Sequence, residues 1–517
     1  MNDEESAYQA MISRDSRFDG LFYVAVRTTG IYCRPVCPAR KPLRKNCHFF
    51  RYAEQAEKAG YRPCLRCRPE LAPGHAPIDQ PASLCQKFID AIESGLLDNE
   101  SSLPEIAKRF SLSERQFRRI LNQQLGISPQ ELRQSRRLKL ARQLLTETRL
   151  PVTAIAFTSG FGSIRQFNSA FLTHYQLAPS AFRKSLPALP EPQHDETEKV
   201  RLSYRPPFAW SSLLRFLARR SIKDVEWIDG EHYLRTLAIG QYQGWIRVGD
   251  DPRQHCLKVE FSHSLIPVLP VLLQRLRQLF DLSARPDLIA EHLSADPLLA
   301  PLVQNTPGLR VPGCFEPFEL AVRAILGQQV TVAAATTLSK RLTARFGKPI
   351  VTPFPALSRL APTAEDFTGA TADDIGSLGI VGTRINAILA LADATRQGLF
   401  RQMHNEPQQR GPQLLTELPG IGPWTAQYIA MRALSLTDAF PKEDIALRKA
   451  LGGLTPRAAE QRSLIWRPWR SYAVMLLWQA EEVKKQTTGV DNPPTSSPAT
   501  TKAKSPPDPD GNGKSLS

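Results

Sequence analysis

The spacing of apolar positions changes several times along the chain, and each change predicts a different element. Between residues 81 and 187 apolar side chains recur at helical spacing in short segments. Leu103 to Phe110 predicts a short helix and Ser111 to Ser113 a turn, with Ser113 placed to cap a second helix from Glu114 to Gln124. The unit returns as Val152 to Thr158, a turn at Gly160-Phe-Gly162, and a helix from Ser163 to Tyr175. Ile106-Ala107 is echoed by Ile155-Ala156, and Arg115-Gln116-Phe117 by Arg165-Gln166-Phe167. Phe117 lies twelve residues before Pro129 and Phe167 twelve before Pro179, so two copies of one helical unit are expected. Further on, Tyr233–Ile239, Trp245–Val248 and Cys256–Phe261 predict strands, and Ile266–Leu282 a helix. From 285 to about 484 the pattern is many helices with short Pro/Gly joints.

Composition divides the chain. At 517 residues it exceeds one core. The run from Pro187 through Pro192 to Glu198 is a linker by composition, and 487–517, without aromatics, is expected to be disordered. The expected domains are 1–73, 81–187, 199–282 and 285–484, followed by that tail. The formal net charge is +16. Residues 101–187 hold 14 Lys/Arg against 4 Asp/Glu, a net +10, while the chain from 188 onward is close to neutral. So concentrated a basic excess points to a polyanion. No window approaches ~18 consecutive apolar residues, so no membrane span is expected. The acidic, polar start at Met1–Glu5 does not read as a secretory signal, and a cytoplasmic location is expected. Cysteines clustered there read as metal ligands or reactive thiols rather than disulfides.

Five of the eight cysteines lie before residue 74. Cys33-x3-Cys37, then 26 residues, then Cys64-x2-Cys67 is the spacing of a four-thiolate zinc site, each pair on a turn. Cys47 lies between the pairs as a decoy or alternative ligand. A purely structural metal site would look the same. The crowd of Arg34, Arg40, Lys41, Arg44, Lys45, Arg62, Arg66 and Arg68 suggests more, since a metal-held thiolate is nucleophilic and arginines hold phosphates. The stretch Phe22–Cys37, with Tyr61-Arg-Pro-Cys64-Leu-Arg-Cys67, resembles the amino-terminal domain of the Ada DNA-repair regulators over roughly residues 5–72. That resemblance implies that Cys33 accepts a methyl group from a methylphosphotriester in DNA. It also implies one Zn²⁺ held by Cys33, Cys37, Cys64 and Cys67, with Arg34 among the DNA contacts.

The doubled helical unit has helix-turn-helix character, against the alternative of a plain helical bundle. It resembles the DNA-binding domain of AraC-type regulators over about 81–185, which implies that the helices at 114–124 and 163–174 enter successive major grooves. Arg115, Arg118, Arg165, Gln166 and Asn168 are the candidate contacts, and Phe117 and Phe167 are core.

In the last part, Leu418-Pro-Gly-Ile-Gly-Pro-Trp-Thr-Ala426 reads either as an ordinary helix–helix turn or as a hairpin whose Gly420 and Gly422 let a phosphate approach a helix N-terminus. It resembles the helix–hairpin–helix of the DNA glycosylase superfamily, which implies an essential aspartate some twenty residues on. Asp444 stands there, with Glu443 its nearest competitor. Bifunctional members carry a lysine where this chain has Trp424, so base removal alone is expected. The last cysteine is Cys314, so no iron–sulfur cluster is expected.

Residues 200–483 resemble the AlkA-type 3-methyladenine glycosylases, including Glu319–Gln328 and Trp466–Ala473. The resemblance implies Trp424, Tyr428 and Trp469 as aromatic walls around a flipped, cationic alkylated base. It makes Gln329 the wedge that fills the gap, where the family has an apolar leucine. No Pro-Cys-His-Arg string, the mark of the O6-methylguanine transferase domain, is present.

The expected architecture is multidomain and mainly α with α+β parts: a small zinc domain, a double helix-turn-helix, an AlkA N-terminal-like α+β domain and an all-α helix–hairpin–helix domain. The expected function joins removal of alkylated bases (3-methyladenine, 7-methylguanine) to methyl-activated transcription regulation. Double-stranded DNA, damaged and at promoters, is the expected partner, with RNA polymerase at the promoter, and the protein is expected to be a monomer. Two alternatives stand beside this: a regulator that keeps the last part only as a DNA-binding scaffold, and a glycosylase for oxidised or deaminated bases.

Overall fold

The computed structural model describes residues 4–73, 88–89, 103–109, 112–189, 196–405 and 410–487. The expected tail from 488 onward, the start of the helical domain at 81–87 and the middle of the expected linker lie outside the described residues. Among the described residues no helix is long and apolar enough to cross a membrane.

The first unit is a four-stranded sheet of order β3-β1-β2-β4, built from β1 (Tyr23–Val26), β2 (Ile31–Cys33), β3 (Cys47–Phe50) and β4 (Arg62–Pro63). Side chains alternate faces along a strand. Phe22 and Val24 pack on Ala7, Ala10 and Met11 of the helix Glu4–Ser13. Tyr23 and Ala25 turn the other way, to Ala53 and Ala56 of the helix Ala53–Lys58. A helix on each face explains why the strand reads as continuously apolar.

The helical repeat is present. Its first copy is Leu103–Arg109 and Glu114–Leu125; its second is Val152–Thr158 and Ile164–Tyr175. Ser113 caps its helix reciprocally with Gln116, and Ser163 accepts the Gln166 amide. Phe117 and Phe167 are both fully buried, each among its own copy's Ile-Ala pair. The 19-residue helix Pro129–Glu147 connects the copies.

That connecting helix also joins the other units. Its buried Arg142 donates to Glu70 Oε2 at 2.7 Å and to the Cys64 carbonyl at 3.1 Å. Its Lys139 donates to buried Glu54 at 2.8 Å. Burial opposes the charge on Glu54, but Lys139 and Arg136 hold its carboxyl down to about 2. At its end, Glu147 faces Arg68 at 3.2 Å on one side and Arg201 at 2.8 Å on the other.

Arg201 lies on β5 (Thr197–Ser203), the edge of a five-stranded antiparallel sheet of order β5-β9-β8-β7-β6. The others are β6 (Glu226–Asp229), β7 (His232–Ile239), β8 (Tyr242–Asp251) and β9 (Cys256–Ser262). The three expected strands are thus found, and two were missed. Thr197 and Glu198, read as linker, are strand residues paired with Ser262 and Phe261 of β9. Their polar character has a tertiary cause: the Glu198 carboxylate accepts the Arg149 amide at 3.0 Å. The expected helix 266–282 is a 3₁₀ turn to Val268 followed by a helix Leu269–Leu279.

The sheet braces the last, helical part. Arg235 of β7 donates to Glu319 at 2.8 Å, and Glu226 of β6 accepts from Arg323 at 2.9 Å. Both partners lie on the buried helix Pro317–Leu326, which leads directly to Gln328 and Gln329. Around it, one apolar core packs Phe318–Leu326 against Ile385, Ile388, Ile421, Ala426 and Ile429.

Candidate functional sites: a thiolate cluster and an aspartate pocket

Strand register builds the first site. β2 ends on Cys33, and β4 runs parallel to it with Tyr32 opposite Pro63, so Cys33 and Cys64 leave the sheet at the same edge. The Cys64 amide donates to the Tyr32 carbonyl at 3.0 Å. The Sγ atoms of Cys33, Cys37, Cys64 and Cys67 all lie within 4.8 Å of one another, with Cys37 and Cys64 4.0 Å apart. A tetrahedral zinc–thiolate site needs sulfurs about 3.8 Å apart, so the four fit that ion. Their chemistry agrees. Four thiolates this close repel one another, so holding all four deprotonated needs a cation between them. Cys64 and Cys67 are buried, whereas Cys33 and Cys37 are half-buried and within reach from outside.

Of the two alternatives open for Cys47 the decoy holds, and the reading of Arg34 is corrected. Cys47 is no ligand: it is buried under the helix Glu4–Ser13 and donates to the Leu43 carbonyl. Arg34, read as a DNA contact, points inward. Its guanidinium pairs with Asp19 and donates to the Cys67 carbonyl at 3.2 Å, and its amide donates to Cys67 Sγ at 3.3 Å. Arg40, Lys41, Lys45, Arg62 and Arg66 are the exposed bases around the cluster.

In the helical repeat, Arg115, Arg118, Arg165, Gln166 and Asn168 are all exposed, each at the start of its copy's second helix. Arg118 pairs with Glu114 one turn back, an exposed pair that phosphate can replace. The Gln166 side-chain carbonyl accepts the Gly162 amide.

The second site gathers around Asp444, the cap of the helix Ile445–Ala450. Three donors converge on its carboxylate: Leu447 N at 2.7 Å and Trp478 Nε1 at 3.0 Å on Oδ1, and Trp424 Nε1 at 2.9 Å on Oδ2. Trp424 and Tyr428, one turn apart on the helix Pro423–Ala433, stack at 5.4 Å and 12°. Trp478 closes the group, its ring 6.1 Å from Tyr428. Burial raises the Tyr428 hydroxyl, yet Arg432, donating to it at 2.7 Å, with Arg220 and Arg323, carries it below its usual value. Glu443 makes no hydrogen bond to either tryptophan, and one of its carboxylate oxygens is buried without a partner.

Trp469 is a further correction. It is buried 5.7 Å from Tyr472, whose hydroxyl donates to Asp281. It packs in the core, and Trp478 stands where a pocket wall was expected. Trp478 was missed because it sits in the apolar run Ala473–Leu477, which reads as ordinary core; its one distinguishing mark is an indole in an aliphatic stripe.

The hairpin is as expected. Gly420 has φ +75°, and a Cβ there would come within 3.0 Å of Ala387 Cβ and the Thr383 carbonyl, so glycine is required. Gly422 is exposed and leaves the start of the helix Pro423–Ala433 uncovered. Gln328 Nε2 donates to the Gly420 carbonyl at 2.9 Å and to Thr425 Oγ1 at 3.0 Å. Gln329, next in the chain, is exposed beside this tie to the hairpin.

Comparison with known proteins agrees with this layout. The chain matches the metal-binding domain of Ada over residues 6–70 and a helix-turn-helix domain over 106–185. It matches the AlkA N-terminal domain over 199–316 and the HhH-GPD superfamily of base excision DNA repair proteins over 322–467. A Mycobacterium tuberculosis protein described as a "probable bifunctional transcriptional activator/DNA repair enzyme AlkA" is 37% identical, covering 93% of this chain and 97% of that one. The Escherichia coli DNA-3-methyladenine glycosylase 2 is 34% identical over 54% of this chain and 96% of its own. The Escherichia coli bifunctional transcriptional activator/DNA repair enzyme Ada is 34% identical over 31% of this chain and 43% of its own. With a zinc-binding cysteine cluster, a DNA-binding helical repeat and a glycosylase fold in one polypeptide, the chain belongs to the family of bifunctional Ada/AlkA-type transcriptional activators and DNA repair enzymes.

Proposed function

We propose that the protein hydrolyses the N-glycosidic bond of alkylated bases, of the 3-methyladenine and 7-methylguanine type, and takes methyl groups from DNA methylphosphotriesters onto Cys33. The observation that carries the first activity is the Asp444 carboxylate, fixed by two indole N–H groups beside the Tyr428 ring. An N-alkylated purine is cationic, and electron-rich faces favour it by roughly 0.5–2 kcal/mol each. Flipped from the duplex, the base rests against Tyr428 and Trp478. As its bond to C1′ lengthens, positive charge grows on the sugar and Asp444 stabilises it. Water adds to C1′, its proton passes to solvent, and the base leaves with the bonding pair. Trp424 in place of a lysine leaves no amine to capture C1′, so the strand is not cut.

For the second activity, Cys33, Cys37, Cys64 and Cys67 would hold zinc, which would keep the four sulfurs as thiolates. The half-buried Cys33 Sγ attacks the methyl carbon of the phosphotriester, the C–O bond breaks and the phosphate leaves as a diester anion. The thioether does not turn over, so each molecule acts once. Loss of one negative charge from the cluster reduces repulsion from the DNA backbone, and promoter binding through Arg115, Arg118, Arg165, Gln166 and Asn168 tightens. A monomer carrying one zinc and touching RNA polymerase at the promoter completes this reading.

The test uses purified protein and methylated duplex DNA. Wild type releases 3-methyladenine and 7-methylguanine, and Asp444→Asn loses about 10²–10³-fold in rate. Cys33→Ala releases bases as before but takes up no methyl from phosphotriesters. No release from folded wild type would leave a methyl-sensing regulator; methyl uptake by Cys33→Ala would rule Cys33 out.

A further inference from the structure

Arg432 is a buried cation that lacks a carboxylate partner. It is 5% exposed and sits one turn after Tyr428 on the helix Pro423–Ala433. Its guanidinium is pinned by two backbone carbonyls, Nε donating to Pro312 at 2.8 Å and Nη2 to Gly313 at 2.8 Å. The remaining nitrogen, Nη1, donates to the Tyr428 hydroxyl oxygen at 2.7 Å. The carboxylates of this region are committed elsewhere: Glu319 to Arg235 at 2.8 Å, Glu226 to Arg323 at 2.9 Å and Glu482 to Arg219 at 2.9 Å. Asp444 is turned to two indoles and the Leu447 amide. Cys314, beside Gly313, supplies no charge, because burial pushes its thiol up to about 12. A cation this far from water needs an anion.

The Tyr428 oxygen is the group placed to be that anion. Three guanidiniums act on it: Arg432 from its own helix, Arg220 from the turn after the helix Trp210–Ala218, and Arg323 from the helix Pro317–Leu326. Arg220 lies 3.8 Å from the centre of the Phe216 ring and Arg432 5.1 Å from it, so one aromatic ring holds both cations in place. Burial opposes ionisation of Tyr428, but the guanidiniums outweigh it and lower the hydroxyl below its ordinary range. The oxygen accepts from Arg432, and among the described residues nothing accepts the hydroxyl's own proton. The ring meanwhile stacks on Trp424 and stands 6.1 Å from Trp478, in the wall of the pocket.

We propose that Arg432 holds Tyr428 as a phenolate, so that the pocket wall carries a fixed negative charge that selects cationic bases over neutral ones. This rests on the Asp444 pocket being the one that takes the flipped alkylated base. The phenol proton passes to solvent, and Arg432 gains the ion pair it otherwise lacks. A neutral ring attracts a cation through its quadrupole alone; a phenolate adds a full charge where water does not screen it. Selection acts on binding. As the bond to C1′ breaks, positive charge moves from base to sugar, so an anion beside the base holds the bound state at least as well as the transition state. Arg432 is a positioning residue that acts through Tyr428.

Two measurements on the full chain test this. The first is the ultraviolet difference spectrum at neutral pH, in which subtraction of a variant cancels the chain's other tyrosines. Wild type minus Tyr428→Phe shows the long-wavelength band of one tyrosinate, and wild type minus Arg432→Met shows the same band. The second is fluorescence anisotropy with duplexes bearing either 7-methylguanine, a cation, or 7-methyl-7-deazaguanine, a neutral base of the same shape. A fluorine on each sugar keeps the glycosidic bond intact. Wild type prefers the cationic base by about tenfold, and both variants lose most of that preference. Arg432→Met gives up three hydrogen bonds, so its melting temperature is recorded; Tyr428→Phe keeps the packing and decides the charge by itself. No tyrosinate band, a band that persists in Arg432→Met, or a tenfold preference for the cation that survives in Tyr428→Phe would overturn the proposal. Neither measurement breaks a bond. A wild type that passes both yet releases no alkylated base would sink the glycosylase reading and leave the anionic wall standing.

Discussion

The thiolate cluster and the aspartate pocket are held in position by different means. The cluster takes four side chains from two turns between residues 33 and 67, on a small sheet with thin apolar layers. The pocket collects Trp424, Tyr428, Asp444 and Trp478 from helices that two large cores align. In the first, the bound cation supplies much of the energy that assembles the site. In the second, the fold is complete before any ligand arrives, and the carboxylate is oriented by three protein donors. Under the proposed function the first site changes state once, which suits its construction. A site that must repeat one geometry at every turnover suits the second.

The sharpest way to break this comparison is to remove the metal. Structural zinc contributes on the order of 10–16 kcal/mol to small domains. A strong chelator is expected to unfold residues 4–73 and leave the glycosylase part intact. All seven tryptophans lie at 210 or beyond, so indole fluorescence follows that part alone. A tryptophan-monitored transition that collapses with the metal would show that the two sites share one folding unit. Next in size is Arg142→Met. It leaves Glu70 buried with Arg68 alone and frees the Cys64 carbonyl, a loss of about 3 kcal/mol. Zinc release should accelerate while the tryptophan transition moves little.

The same contrast explains what could be read in advance. Metal ligands arrive in pairs on turns, so Cys33, Cys37, Cys64 and Cys67 are legible in spacing alone. The repeat was legible because each copy carries its own cap and its own buried phenylalanine. Asp444 was legible only through the hairpin string that precedes it by a fixed distance. What escaped depends on partners far away in sequence. Arg34 reads as a free base until Asp19, fifteen residues upstream, engages it. Glu198 reads as linker until Arg149 supplies an amide. The indole of Trp478 bonds a carboxylate 34 residues earlier, and no local pattern encodes that.

A third prediction concerns the joint behind the pocket. Asp281 accepts from the Tyr472 hydroxyl at 2.7 Å and the Val311 amide at 3.2 Å, and burial pushes its carboxyl up to about 6. Unfolded, it titrates near ~3.9. Between these values the folded state binds more protons, so this group's contribution to stability falls as pH rises from 4 to 7. The expected change is about 2 kcal/mol, less than the full shift because Asp281 keeps some exposure. Asp281→Asn should flatten that fall in urea titrations followed by tryptophan fluorescence; an unchanged slope would assign the pH dependence to another group.

The finest test separates the two tryptophans nine residues apart. Trp478→Phe keeps an aromatic face beside Tyr428 but removes one of three donors on Asp444. Two donors remain, so single-turnover base release should fall by about tenfold, the lower end for a hydrogen bond to a charged group. Trp469→Phe touches neither Asp444 nor Tyr428. It should lower stability by about 1–2 kcal/mol through lost core volume and leave base release unchanged. The reverse pattern would return Trp469 to the pocket wall, with Trp478 as core. Equal losses of rate in both variants would mean that the helix Arg470–Thr487 moves as one body, so that the pocket is held by the whole helix rather than by a single indole.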